Sequence, residues 1–445
     1  MDIVIAGAGE VGYYLAKLLS IESHDIVLID DNARILERAK DQLDVITIKG
    51  NATSIKVLKE ADVEDADLLI AVTSSENVNF MVATIGKQLG AKRTIARVNS
   101  TEFLDPKCTI DFKQLGIDVM ISPEELASKE IWRLIKRSAF TDAFEFEMGK
   151  LVLAGIHLNS DAPVVDRTIS ETAALNPKLN FITVAIQREG KTIVPRGGNR
   201  FLLGDHVYFL SVPEGLEEIM KLTGKEVHRI KNVMMLGAGR VGLNTINKIK
   251  KRRNIKLIEQ NAEKCHEIAD EYSDILVINS DGHNVQLLEE ENIGEMDAFI
   301  AVTGNSETNI MSCLMAKSHG VKKTIALVEN MDYINLSQNI GIDTLINKKL
   351  IAANNIFRYV RGANVTNIAA LHGVDAEVLE FIAMPNSKIT QKPVRDLKFP
   401  KEAIIGGVIR GGTGHIVGGD FHIQKGDKVV VLAKFSIIKD VEKFF

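Results

Sequence analysis

Two glycine-rich turns hold the residues best suited to chemistry in this sequence. Gly7-Ala8-Gly9-Glu10-Val11-Gly12 follows a strand-like run and opens a helix-like one. Gly237-Ala238-Gly239-Arg240-Val241-Gly242 does the same. The chemistry is anion binding. The first glycine of such a turn (Gly7, Gly237) permits the tight bend, and the second (Gly9, Gly239) lets the backbone approach a pyrophosphate. The third (Gly12, Gly242) lets helix and strand pack closely. The helix N-terminus then offers unpaired N–H groups and a partial positive charge to the phosphates. A carboxylate follows each turn: Asp30 stands 18 residues after Gly12, and Glu259 stands 17 after Gly242. At the end of a second strand a carboxylate accepts hydrogen bonds from ribose hydroxyls and repels a 2′-phosphate. NAD-like or adenine-nucleotide ligands are therefore favoured over NADP. The plainer alternative, carboxylates that merely end surface strands, accounts less well for a double occurrence at matched spacing.

Two further pairs of segments fall at strand C-termini, where ligands bind in such sheets. Gly50-Asn51-Ala52-Thr53 is matched by Ser280-Asp281-Gly282, and Thr73-Ser74-Ser75 by Thr303-Gly304-Asn305. Small polar residues there let a base approach backbone groups, and ordinary turn chemistry explains them equally well. The halves differ at two positions. Glu10 stands where Arg240 stands in the second half, and Arg97, ending a fifth strand, is replaced by Leu327. Beside a phosphate turn a carboxylate weakens anion binding and a guanidinium strengthens it. The two halves are expected to differ in nucleotide preference or affinity.

The elements that must position these residues repeat as well. The glycine turns, Ala71-Val72-Thr73 with Ala301-Val302-Thr303, and Thr94-Ile95-Ala96 with Thr324-Ile325-Ala326 all share an offset of 230 residues. One shared register marks a duplication. In the first half, runs 3–6, 26–30, 45–48, 68–72, 94–98 and 119–121 read as strands apolar on both faces, with helix patterns between them such as 11–19 and 77–89. That alternation predicts a doubly wound parallel sheet. A helix over 123–140 carries Ile131, Leu134 and Ile135 on one stripe, and it suits either a crossover packed on its own sheet or an assembly surface. After about residue 140 the pattern turns to period 2 with Gly and Pro turns, predicting a small α+β domain. Strand–turn–strand units are expected at 181–188 with 193–196, and at 403–410 with 416–419. They are followed by Gly204-Asp205-His206-Val207 and Gly426-Asp427-Lys428-Val429. Arg188 and Arg410 occupy equivalent strand ends, suiting a charged hairpin end or a second small-ligand site. The polar stretch 221–231 reads as a linker. The expected division is 1–140 and 230–362 as Rossmann-type domains, with 141–225 and 363–445 as small α+β domains.

Composition narrows the function classes. The 445 residues are 45% hydrophobic and 25% charged, a normal globular balance for two to four domains. A formal net charge of −5 gives no sign of a nucleic-acid partner. Cys108, Cys265 and Cys313 lie far apart with no CxxC pair, against a disulfide framework or a cysteine zinc site and in keeping with a reducing compartment. No signal peptide is expected, and no apolar run approaches the ~18–20 residues a spanning helix needs. A soluble chain is expected, reaching a membrane only through a partner.

The combination resembles the TrkA family, the peripheral nucleotide-binding subunits of bacterial Trk potassium-uptake systems. The paired turns, Asp30 and Glu259, the run Ala71 to Asn77 with its echo Ala301 to Glu307, and Ile95-Ala96-Arg97-Val98 carry the resemblance. Each half looks like one potassium-conductance-regulating (RCK) domain with its small C-terminal subdomain. The resemblance implies a cytoplasmic regulator, peripheral to the inner face of the membrane. It would assemble into a ring, a homotetramer with two domains per chain, beneath a membrane potassium channel or transporter, and would bind NAD(H) and ATP or ADP. It also implies a place for Arg97 near nucleotide phosphates, which Leu327 cannot fill.

Two rival readings remain. An NAD-dependent oxidoreductase needs a proton-transfer group beside the nicotinamide. The sequence shows no Tyr-x-x-x-Lys pair, His24 and His157 flank strands as structural histidines do, and His283 has no counterpart in the first half, where Thr53 stands. A regulator of a potassium efflux system would use the same domain, usually once.

Overall fold

The computed structural model of the chain describes all residues except 22–23, 106, 176–177, 227–228, 283, 331–332, 334–340, 361–364 and 372–373. The first sheet is parallel and holds β1 (Asp2–Ala6), β2 (Asp25–Asp30), β3 (Ile46–Lys49), β4 (Leu68–Ala71), β5 (Thr94–Arg97) and β6 (Val119–Ile121). Its order, β3-β2-β1-β4-β5-β6, reverses between β1 and β4. Ligands bind above such a reversal in doubly wound sheets, because neighbouring loops diverge there and leave a crevice. Helices α1 (Glu10–Ile21), α2 (Ala33–Gln42), α3 (Ile55–Glu60) and α4 (Glu76–Leu89) connect the strands, and α5 (Pro123–Lys136) leaves the sheet. β4 is buried at every position, as a central strand covered on both faces must be.

A small antiparallel sheet follows, of order β10-β9-β11-β8-β7. It comprises β7 (Asp142–Phe146), β8 (Leu151–His157), β9 (Phe181–Arg188), β10 (Lys191–Ile193) and β11 (His206–Ser211), with α6 (Ile169–Ala174) and α7 (Leu216–Thr223). The second half repeats the plan. Its parallel sheet contains β12 (Asn232–Leu236), β13 (Asn254–Glu259), β14 (Leu276–Asn279), β15 (Ala298–Ala301), β16 (Lys323–Leu327) and β17 (Thr344–Ile346), in the order β14-β13-β12-β15-β16-β17. Helices α8 (Arg240–Ile249), α9 (Ala262–Glu271), α10 (Val285–Glu290), α11 (Ser306–Ser318) and α12 (Lys348–Phe357) accompany it. The last sheet holds β18 (Val365–Ala370), β19 (Ala376–Ile382), β20 (Ala403–Arg410), β21 (Thr413–Ile416) and β22 (Lys428–Lys434), with α13 (Ile438–Glu442) at its end. The doubly wound sheets, each with a small α+β partner, are those expected from the sequence.

Three details differ from expectation. The short hairpin strands lie at Lys191–Ile193 and Thr413–Ile416, nearer the turn than 193–196 and 416–419. Glu189 and Gly190, both with positive φ, turn the chain back at once, so pairing starts directly after them. The helix expected over 123–140 ends at Lys136. The stretch 221–231 is not all linker, since α7 runs through Thr223 and ends on the left-handed Gly224.

The chain forms two compact bodies. One comprises Met1–Lys129 with Asn347–Val360, and the other Glu130–Ile346 with Arg361–Phe445. In the first body α12 lies against α1. Ala352, Ala353, Ile356, Phe357 and Val360 share one core with Ile3, Ile5, Leu15, Leu19 and Leu28. A helix from the second half of the sequence thus completes the core under the first glycine turn. Two small residues at adjacent positions let the helices approach closely.

In the second body the two small sheets share a core in which Leu151, Val184, Tyr208 and Leu210 meet Val378, Ile409, Val430 and Leu432. Each small sheet is locked by the same ion pair. Arg188 grips Asp205 at 2.7 and 2.8 Å. Arg410 grips Asp427 at 2.9 and 2.7 Å. Both aspartates are buried, so the bidentate arginine is what allows their charge there. The two arginines are hairpin-end locks.

Ile356→Ala should remove about 2–5 kcal/mol of packing from the first body. Amide hydrogen exchange should quicken in β1 and α1, far away in sequence, and not in β12 to β15. Faster exchange confined to the second half would show that α12 belongs to its own sheet.

Candidate functional site

Both glycine turns sit at the C-terminal edge of a central strand, and their geometry repeats closely. Gly7 has φ +107 and Gly237 φ +100, a region closed to most side chains. A Cβ on either would come within 2.9 Å of the main-chain N of Thr73 or Thr303. Gly12 touches the turn itself: a Cβ there would stand 1.8 Å from the Gly7 carbonyl oxygen, and on Gly242 2.3 Å from that of Gly237. Gly9 is different. A Cβ on it meets nothing within 4 Å, and on Gly239 only the Val302 carbonyl at 4.0 Å. The fold therefore uses the first and third glycines for itself and leaves the backbone at the second one bare. Val11 and Val241 are buried beneath the turns as supports.

The carboxylates reach these turns. Asp30 Oδ2 accepts the N–H of Ala8 at 2.6 Å, and its Oδ1 accepts that of Asn32 at 2.9 Å. Glu259 Oε2 accepts the N–H of Ala238 at 2.8 Å, and its Oε1 that of Asn261 at 3.0 Å. One methylene of extra length is absorbed without changing the partners.

The loop after the fourth strand is pinned by a residue that the sequence reading missed. Asn79 is buried and accepts from the N–H and hydroxyl of Thr73 at 2.8 and 2.7 Å. It donates to the carbonyls of Thr73 at 3.1 Å and Arg97 at 2.9 Å. Asn309 does the same for Thr303 and for the carbonyl of Leu327, which it reaches at 2.8 Å. The pair shares the offset of 230, a signal available in the sequence. The threonine side chains are thus committed to the scaffold. Ser74 is exposed, and its carbonyl accepts from Asn99.

In the second half these parts enclose a cleft of about 340 Å³, lined by Gly237, Gly239, Glu259, Ser280, Asp281, Gly282, Thr303 and Gly304, among others. Gln260 and Lys264 also line it, with the Lys264 ammonium 4.0 Å from Glu259. Lys264 was not anticipated, because Glu259 with Asn261 aligns with Asp30 with Asn32 and leaves Ile35 as its counterpart. Arg240 opens α8 but is exposed and stands outside that lining, as do Val241 and Gly242.

The first site has contacts of its own. Asn51 holds its own loop, accepting from the N–H and hydroxyl of Thr53 at 2.9 Å each, while Ala52 is buried. Asn51 thus makes the local turn contacts that its side chain allows. Glu10 is not a bare anion beside the turn, for it pairs with Lys349 at the start of α12. Arg97 lies 3.9 Å from Glu124.

Comparison with known proteins decides the family. The TrkA-N domain family matches residues 3–123 and 233–348, and the TrkA-C domain family matches 153–224 and 378–445. This chain belongs to the TrkA family. A Trk system potassium uptake protein TrkA homolog from Methanosarcina mazei is 34% identical, with all of both chains covered. The TrkA homolog of Archaeoglobus fulgidus is 33% identical, again over all of both chains. TrkA of Halomonas elongata is 31% identical over all of this chain and 98% of its own. Among solved structures, the GsuK RCK domain aligns over all of this TrkA-family chain and 94% of its own with a TM-score of 0.62 at 16% identity. A GsuK channel bound to NAD aligns over all of this chain and 78% of its own with a TM-score of 0.60, also at 16% identity. Those likenesses describe the fold.

Two histidines of this TrkA-family chain lie in the first small sheet. His157 stacks on His206 in the first small sheet at 4.1 Å between ring centroids. His206 is buried, 3.2 Å from Asp142 and 2.8 Å from the Thr141 hydroxyl. Burial, and then the neighbouring His206, push the His157 imidazole down to about 4. His24 stands just before β2, and His283 is outside the described residues. No group of three or more His, Cys, Asp or Glu that could hold a metal occurs among the described residues.

Gly12→Ala should lower the melting temperature of the first body by several degrees, whereas Gly9→Ala should leave it unchanged; equal losses would contradict the open backbone at Gly9. His157 binds its proton more readily unfolded than folded. Between pH ~6.5 and ~4 the unfolded chain therefore carries the extra proton, and stability falls as the pH falls through that window. His157→Phe should flatten that part of the stability profile measured by denaturant titration. A profile of unchanged slope would rule the residue out as its source.

Proposed function

We propose that this chain is a nucleotide-sensing regulatory subunit that controls a membrane potassium uptake system. The observation that carries the reading is the duplicated turn with its carboxylate. Two sites hold bare glycine backbone, a helix N-terminus and a ribose-type acceptor in one arrangement, in a chain alike over its whole length to Trk potassium uptake proteins. NAD(H) and ATP or ADP are the proposed ligands. An adenosine moiety would meet Asp30 or Glu259 through its ribose, and the phosphates would lie over Gly9 or Gly239. A 2′-phosphate would face the carboxylate and be repelled.

The proposed domains are 1–140 and 230–362 for the nucleotide and 141–225 and 363–445 for the small sheets. No helix among the described residues is long and apolar enough to cross a membrane, so control of transport acts through an integral-membrane partner at its cytoplasmic face. The proposed assembly is a homotetrameric ring, eight Rossmann-type domains from four chains. A ligand shifts such a ring only by binding its alternative shapes unequally, which nucleotides that share adenosine and differ beyond it can do.

The reading is not enzymatic. Among the described residues, Lys264, Glu259 and Asp281 are the ionisable side chains lining the second cleft, and no described histidine, tyrosine or cysteine lines it. A dehydrogenase would place a proton-transfer group there.

Calorimetry on the full chain with NADH, NAD, ATP, ADP and NADPH tests the proposal. Asp30→Ala and Glu259→Ala should each remove one binding event, with NADPH weakest throughout. NADH binding accompanied by steady oxidation against a carbonyl panel would sink it in favour of an oxidoreductase.

A further inference from the structure

The first site contains a feature that the duplication alone does not explain. Around the N-terminus of α1 stand Glu10, Arg97, Glu124, Lys348 and Lys349, and the two lysines come from the start of α12, more than three hundred residues further along the chain. Lys349 pairs with Glu10, the first residue of α1. Lys348 lies 3.8 Å from Glu124, and Arg97 lies 3.9 Å from the same carboxylate oxygen. Those separations leave polar atoms unsatisfied. The Glu124 side chain is only 6% exposed, yet its Oε2 is buried without a hydrogen-bonding partner, and so is Nε of Arg97. Buried donors and acceptors are normally satisfied, and those that are not mark places where a further group completes the set.

The open donor says what that group is. Nε of Arg97 calls for an acceptor, and Arg97 stands with Lys348 and Lys349 in a cluster beside first-turn amides that themselves attract anions. The Glu10 side chain is 67% exposed, so its ion pair with Lys349 contributes little and exchanges readily. A phosphate offers Lys349 a stronger, multiply charged acceptor. The repeat supports a matched pair at these positions. Ser122-Pro123-Glu124 and Asn347-Lys348-Lys349 open equivalent helices, so Glu124 is the counterpart of Lys349, as Arg240 is of Glu10. Both signs are reversed together between the halves.

We infer that Lys349, supplied by the second half of the chain, is the phosphate-contacting cation of the first nucleotide site, with Glu10 as the counter-ion that a phosphate displaces. The ligand class is an adenine nucleotide with two or more phosphates. Glu10 then sets a threshold: a ligand without a polyphosphate tail leaves the Glu10–Lys349 pair intact, and one with such a tail takes the lysine over. This inference rests on the nucleotide reading above and adds to it a reader of tail charge assembled across the two halves.

The test is calorimetry of ATP, ADP and adenosine on the full chain as wild type, Lys349→Gln, Lys349→Arg and Glu10→Gln, with melting curves for each. Lys349→Gln should weaken ATP and ADP about tenfold to a hundredfold at one of the two binding events, with adenosine unchanged. Lys349→Arg should restore most of the loss, and Glu10→Gln should tighten ATP severalfold. ATP and ADP binding untouched by Lys349→Gln would overturn the lysine's role and leave the nucleotide reading standing. Equal weakening of adenosine, or loss together with a fall in melting temperature, would make the lysine structural and overturn the inference too. A wild-type chain that binds no adenine nucleotide would bring down both readings.

Discussion

The hydrogen bond from the alanine amide inside each glycine turn to the carboxylate ending the next strand is the constraint on which the rest of the site depends. Ala8 and Ala238 are buried, so an unsatisfied N–H there would cost about 1–3 kcal/mol. Asp30 and Glu259 remove that cost and fix the turn against the second strand. Each carboxylate oxygen has a further lone pair, so a ribose hydroxyl can join without displacing the amide. On the proposed reading, scaffold and ligand contact would be one interaction, and the residue that would discriminate against a 2′-phosphate is held in place by the turn itself.

Much of this was legible in the sequence because it rests on local spacing. Strand positions in the first half follow from short runs apolar on both faces, and the duplication follows from a single register. The glycine roles could be assigned from their order alone, and the structure separates them further into two that the fold requires and one that it leaves bare. Where pairing depends on turn geometry, spacing misled: the strands at Lys191–Ile193 and Thr413–Ile416 begin at once because the preceding residues have positive φ.

Other features were invisible for a different reason. Periodicity tells which residues of α12 are buried and not what covers them, so nothing in 348–357 indicates that its apolar face completes the core beneath α1. The same displacement brings Lys349 to Glu10, a partner that spacing along the chain does not reveal. Lys264 is matched by Ile35 in the first half and therefore has no echo to draw attention to it. Asn79 and Asn309 did have one, at the shared offset, but a polar residue inside a helix is ordinarily taken for a solvated face. Their burial gives them a different meaning.

Those asparagines also explain how the two halves can diverge without losing their shape. Asn79 holds the carbonyl of Arg97, and Asn309 holds the carbonyl of Leu327. The tie is to the main chain, so the scaffold does not register whether an arginine or a leucine stands there. The alanine amides bound by Asp30 and Glu259 are main-chain groups as well, indifferent to Glu10 or Arg240 next to them. The bonds made by the two asparagines and the two carboxylates therefore fall on main-chain groups or on the shared threonines, and they do not depend on which side chain stands at 10 and 240 or at 97 and 327. A duplicated fold built this way can give its two sites different charge, and hence different ligands, by substitutions that cost the scaffold almost nothing.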